Sequence, residues 1–267
     1  MEALLEFEHM RLQREGKLAW VTFTRDRYLN AMNNAATVQL NRIATALRED
    51  PEVRVVVIRG QGRAFSTGID LKELAANEIE MTYHHRWERA LRIFETMEKL
   101  VIVGMHGYCL GGSLGIMSAH DLAFAADNAQ LGMPEVLRGS FGQMVTSMLV
   151  HGRIPIKKVA LIQFTGKNVS GVEADRLGVV SMSVPEADLE STTVRIAREI
   201  ASRHLGTLQH AKIAVQMGRD LTLSQSIQLD QLVGTRQSLA VDPTAKVEDY
   251  LQSQKGGPNP KYKREDV

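Results

Sequence analysis

The chain has almost no cysteine: Cys109 is the single one in 267 residues. One thiol excludes an intrachain disulfide framework and any zinc site built on paired cysteines, and it suits a reducing compartment. Net charge is nearly as scarce. Lys and Arg number 32 against 31 Asp and Glu, so no broad basic field marks the chain for nucleic acid. No apolar run is long enough to span a membrane. The opening residues, MEALLEFEHM, carry acids and lack the basic-then-apolar order of a targeting segment. A cytoplasmic location, with no nucleic acid, membrane or metal partner, is therefore expected. What is present is ordinary for a globular protein. Apolar residues make up 44% and charged residues 24%, over a length that suits one large domain or one and a half with a substantial core.

Periodicity divides the chain into two parts. Leu18–Thr24 (LAWVTFT) and Val53–Ile58 (VRVVVI) predict strands. Between them Ala36, Leu40, Ile43 and Leu47 recur at helical spacing, which predicts a helix over Asn34–Glu49 stopped by Asp50-Pro51. Asn77–Lys99 is polar at first and helical later, through Trp87, Leu91, Phe94 and Met97. A helix over Ile156–Phe164 precedes a capping box at Ser170 and Glu173, whose helix ends at Gly178, and a strand over Val179–Val184. From Pro185 onward only helices are expected: Leu189–Arg203, Leu208–Arg219, Ser224–Ala240, and a last one opened by Asp242-Pro243. The Gly/Pro/Lys-rich end, KGGPNPKYKREDV, predicts loose order. The fold class is α/β, with α/β units in residues 1–200 and helices alone in 201–267.

The most informative stretch is 101–142. Val101–Met105 predicts a buried strand, Gly111-Gly112 a turn, and Ser113–Ala119 a short apolar helix. Glycine where a strand meets a helix permits positive φ and lets a backbone N–H approach a ligand unobstructed. The first N–H groups of a helix lack intrahelical acceptors and favour negative charge, such as an enolate oxygen. A strand, another turn and a loop follow, in which Glu135 stands alone among apolar residues (MPEVL). Such surroundings raise a carboxyl towards the range where it trades protons. A second glycine-led helix start lies in Phe65–Leu74, FSTGIDLKEL.

Taken together these stretches resemble the enoyl-CoA hydratase/isomerase family, the crotonase superfamily. FSTGIDLKEL resembles its F-S-x-G-x-D-L-K segment. HGYCLGGSLGIMSAHDLAFAADNAQLGMPEVLRG resembles its N-G-x-x-x-G-G-G, C-D-x-x-x-A and F-x-x-P-E segments. LNAMN resembles its L-N-A-L/M segment, and FTGKNVSGVEADRLGVVSMSVP its F-T-G stretch. The resemblance implies a crotonase-like ββα spiral with a C-terminal all-helical region, and a homotrimer or dimer of trimers. It implies an acyl-CoA thioester substrate, with coenzyme A entering as part of that substrate and no separate cofactor. By position, the oxyanion-hole amides fall on Ile69 and Gly112, and the catalytic carboxylate on Glu135. The coenzyme A segment falls on Arg27, Leu29, Thr67, Asp70, Leu71 and Lys72, Arg27 being placed to meet phosphate.

One departure outweighs the matches. Family hydratases carry a second carboxylate in the helix after the glycine turn, and Gly115 stands there. Its volume is expected to be open to solvent or substrate, so that Gly115→Glu could restore hydration if the pocket tolerates it. Holding and activating a water normally takes two carboxylates, whereas one suffices to move a proton between carbons. The favoured function is thus double-bond isomerisation, or another enolate-forming reaction, with Glu135 as sole carboxylate acid and base. Hydratase or carbon–carbon hydrolase chemistry with an unidentified second group is the alternative, and a catalytically inactive binding or scaffold subunit the third. Glu78, Glu80, His84 and His85 read as a solvated face rather than a replacement acid. His120 and Asp121 read as structural, and Met105, Met117 and Met133 as core.

Overall fold

The computed structural model describes residues 2–152, 154–240 and 247. The expected helix after Asp242-Pro243 and the Gly/Pro/Lys-rich end fall outside these, apart from Val247.

β1 (Glu2–Glu6), β2 (Met10–Glu15) and β3 (Leu18–Phe23) form an antiparallel meander. Only β3 is predicted from an apolar run. β2 is a one-faced strand, with Met10 and Leu12 buried and Arg11 between them only half-buried. α1 (Asn34–Glu49) starts where predicted because the Asn33 side chain accepts the Ala36 N–H at 2.8 Å. It buries the stripe Ala36, Leu40, Ile43 and Leu47.

A spiral follows. β4 (Val55–Gly60), β5 (Ala64–Ser66) and α2 (Leu71–Ala75) precede α3 (Tyr83–Thr96). β6 (Leu100–Met105), β7 (Tyr108–Leu110) and α4 (Gly112–Ser118) make the next turn. Then come β8 (Leu122–Ala126), β9 (Gln130–Gly132) and a 3-10 turn at Pro134–Arg138. α5 (Val145–His151), α6 (Ile156–Thr165), β10 (Val169–Ser170), α7 (Gly171–Arg176), β11 (Met182–Val184) and α8 (Glu186–Ser202) complete it. The capping box at Ser170 and Glu173 is formed as predicted. The strand expected over 179–184 is shorter, and α5 matches no predicted element.

Each turn gives one strand to each of two sheets. The seven-stranded sheet has the order β1-β2-β3-β4-β6-β8-β11, parallel from β3 on, and the four-stranded sheet the order β10-β9-β7-β5. Parallel central strands are apolar along their length, as VVVI and LVIVGM are, because both faces are covered. Phe23 of β3 meets Phe65 of β5 with ring centroids 5.4 Å apart, tying the two sheets together. α8 lies along the large sheet against β3, β4, β6 and β8. Asp121 accepts the Val101 N–H at 2.8 Å and His120 lies 5.2 Å from the Phe94 ring, both in structural positions.

The described residues up to Arg203 form one compact unit, and those from His204 on form a second. The second contains α9 (Leu205–Gly218) and α10 (Leu223–Ala240), joined by a Gln237-to-Thr207 hydrogen bond of 3.1 Å. Among the described residues no helix is long and apolar enough to cross a membrane.

Candidate active site

The two glycine-led helix starts meet. Met32 donates to the Gly68 carbonyl at 2.7 Å and accepts the Asp70 N–H at 3.0 Å, the two bonds of a parallel bridge. In that pattern Ile69, between them, turns its own N–H away from Met32. Gly112 is the first residue of α4, so its N–H has no intrahelical acceptor. Gly68 lies between the two, at φ +80°, where a Cβ would come within 2.8 Å of the Gly112 nitrogen and the Leu110 carbonyl. Only glycine lets these loops touch. Ile69 and Gly112 consequently line the same cavity, of about 520 Å³, a size that suits a small-molecule site.

Glu135 lines that cavity too, from the 3-10 turn. Gly111, at φ +55°, faces it so closely that a Cβ there would strike Glu135 Oε1. The other oxygen, Oε2, is buried without a hydrogen-bond partner among the described residues. Burial pushes the carboxyl above the ordinary glutamate range, while its own backbone N–H and the Arg138 charge pull partway back.

Position 115 differs from expectation. Gly115 is buried, and its vacant Cβ position is not open to solvent. A Cβ there would lie 3.3 Å from Met148 Sδ, 3.5 Å from Val145 Cγ2 and 3.8 Å from Leu91 Cδ1. Apolar side chains of α3 and α5 therefore surround position 115. Glu135 is the one carboxylate-bearing residue lining the cavity among the described residues.

The remaining predicted residues gather around a neighbouring loop. Asn30 pins it, donating to the Gln61 carbonyl at 2.9 Å and the Ala64 carbonyl at 2.8 Å from a left-handed backbone that Leu29 shares. Thr67 donates its N–H to the Leu29 carbonyl at 3.2 Å, so Leu29 lies against the segment that carries Thr67 to Lys72. Arg27, Leu71 and Lys72 are exposed, and Leu71 also lines the cavity. Asp70 is different: it is 4% exposed, caps α2 through the Lys72 N–H at 2.8 Å, and pairs with Arg25 at 2.6 Å. Burial alone would raise its carboxyl, but the Lys72 amide and Arg25 together hold it below the usual range. Its place is that of a clamp between two loops.

Trp87, Tyr83, His84, Arg138, Phe141 and Gln143 are among the other residues that line the cavity. Sequence reasoning missed Arg138 and the 140–145 segment, which follow Glu135 without a motif of their own. His84 and Glu80 are exposed as expected, Glu80 pairing with Arg86 at 2.7 Å, but His84 also reaches the cavity. A second cavity, of about 340 Å³, lies between the large sheet and α8. Its Arg59 is engaged by Glu190 at 2.5 Å, Thr22 at 3.2 Å and the Trp20 ring at 4.7 Å, so it fills a structural role.

Residues 13–243 match the family described as enoyl-CoA hydratase/isomerase. The (E)-benzylidenesuccinyl-CoA hydratase of Thauera aromatica is 30% identical over 224 residues, 83% of this chain and 88% of that protein. A probable mitochondrial enoyl-CoA hydratase of Dictyostelium discoideum is 29% identical over 220 residues, 82% of this chain and 79% of its own. The crystal structure of an enoyl-CoA hydratase from Bacillus anthracis superposes with a TM-score of 0.85 over 92% of this chain and 97% of that one; at 24% identity it speaks for the fold alone. With the spiral fold and two glycine turns meeting at one cavity, these matches place the chain in the enoyl-CoA hydratase/isomerase family of the crotonase superfamily, among enzymes of acyl-CoA thioesters.

Proposed function

We propose that the protein isomerises the double bond of an enoyl-CoA, or carries out a closely related enolate-forming proton transfer, with Glu135 as its one carboxylate acid and base. The observation that carries this reading is the apolar packing at Gly115. With it goes a cavity lined, among the described residues, by no carboxylate but that of Glu135 to hold a water. The thioester oxygen sits between the N–H groups of Ile69 and Gly112, which meet the charge of the developing enolate. Loss of one such donor typically costs about 3 kcal/mol of barrier. Glu135 takes a proton from one carbon and returns it to another, a role suited to a carboxyl raised by burial. The coenzyme A moiety runs over Arg27, Leu29, Thr67, Leu71 and Lys72, with Asp70 positioning that loop.

A panel of 3-enoyl, 2-enoyl and cyclic β-keto thioesters, with coenzyme A binding measured alongside, tests this. Conversion of the 3-enoyl compound without water uptake is expected. The names of the relatives favour hydration as a second reading, and His84 on the cavity wall is the side chain it would need. Hydration lost in His84→Ala would establish that reading, and binding without turnover would leave a scaffold.

A further inference from the structure

Arg138 has no task in the chemistry just described. It follows Glu135 by three residues in a 3-10 turn, where residues i and i+3 eclipse, and both line the cavity. Among the described residues no carboxylate lies within ion-pair distance of Arg138, and its side chain makes no hydrogen bond. Leu71, Leu74 and Trp87 also line the cavity and give it apolar surface.

Arg138 is exposed at the cavity wall, where a plain hydrocarbon tail would offer its donors nothing. A carboxylate at the same place matches its fork of donors in two parallel hydrogen bonds. We infer that Arg138 is a specificity-determining residue and that the acyl group of the substrate carries a carboxylate remote from the thioester. This rests on the cavity being the acyl site, as proposed above, though not on which reaction occurs there.

The test is a titration with unreactive, saturated ligands: glutaryl-CoA against pentanoyl-CoA, and adipyl-CoA against hexanoyl-CoA. Each pair shares its carbon count and differs in the terminal carboxylate. The wild-type protein should prefer the carboxylated member of at least one pair by roughly ten- to hundredfold. Arg138→Leu should bring that ratio close to one, and Arg138→Lys should keep part of it. Circular dichroism checks that the variants fold. Equal binding of both members at both lengths by the wild type would overturn the inference. So would an Arg138→Leu variant that weakens both members and free coenzyme A alike, which would assign Arg138 to the coenzyme's phosphates. Turnover of 3-enoyl-CoA is measured separately. Its absence would count against the isomerase reading and leave the binding ratio to decide this one.

Discussion

At Glu135, burial favours the neutral carboxyl while turnover requires the ionised one. Activity as kcat/KM should therefore rise with pH along a limb displaced above the ordinary glutamate value of about 4.3. Glu135→Gln keeps the shape, removes the limb, and should cost on the order of 10²–10⁴-fold in rate. A limb at the ordinary value would show that the group is not desolvated. Asp70 titrates in the other direction. Its folded-state pKa is depressed, so its stabilisation is complete above the unfolded value of about 3.9 and is lost as pH falls through the lower folded value. Asp70→Ala leaves the Arg25 charge half-buried without its partner, and should destabilise by about 3–5 kcal/mol at neutral pH. Denaturant melts across the acid range check both size and direction. Glu135 and Gly112 were legible in sequence because a lone acid in an apolar loop and a doubled glycine are local signals. The fate of the Asp70 carboxylate was not, since its partner Arg25 precedes it by a whole helix and two strands.

Among the elements, α4 and α5 decide what the glycine turn can do. The absence of a carboxylate at position 115 could be read from the chain. The filling of its space could not, because Val145 and Met148 come from α5, a short helix some thirty residues away with no motif to announce it. Gly115→Glu should therefore fail to restore hydration. It should lower stability by about 1–3 kcal/mol from overpacking alone, with the buried charge adding to it. A folded Gly115→Glu variant that hydrates crotonyl-CoA would contradict this packing. The amphipathic α1 and the β-branched central strands were plain in the sequence because each buries a continuous face. β1, β2, β5 and β7 were not. The first two are half polar, and the last two span three residues each, too few for a period to show.

For the whole molecule, apolar surface remains uncovered in both compact units. Ile156, Leu161 and Phe164 of α6 are exposed in the first, and Val215, Leu232 and Leu239 in the second. Exposed apolar side chains on helices suit association between copies, and a closed ring of copies would cover them. Light scattering at micromolar concentration should give the mass of a homotrimer or a dimer of trimers; a monomer would contradict it. The central claim is that this molecule moves a proton and does not add water. Liquid chromatography that separates the double-bond isomers, followed by mass spectrometry, of 3-enoyl-CoA and crotonyl-CoA incubated with the enzyme in heavy-oxygen water tests it most directly. The account predicts the shifted double bond from the first substrate, carrying no heavy oxygen, and little or no hydrated product from the second. Rapid appearance of a heavy-oxygen hydroxyacyl-CoA from crotonyl-CoA would contradict it.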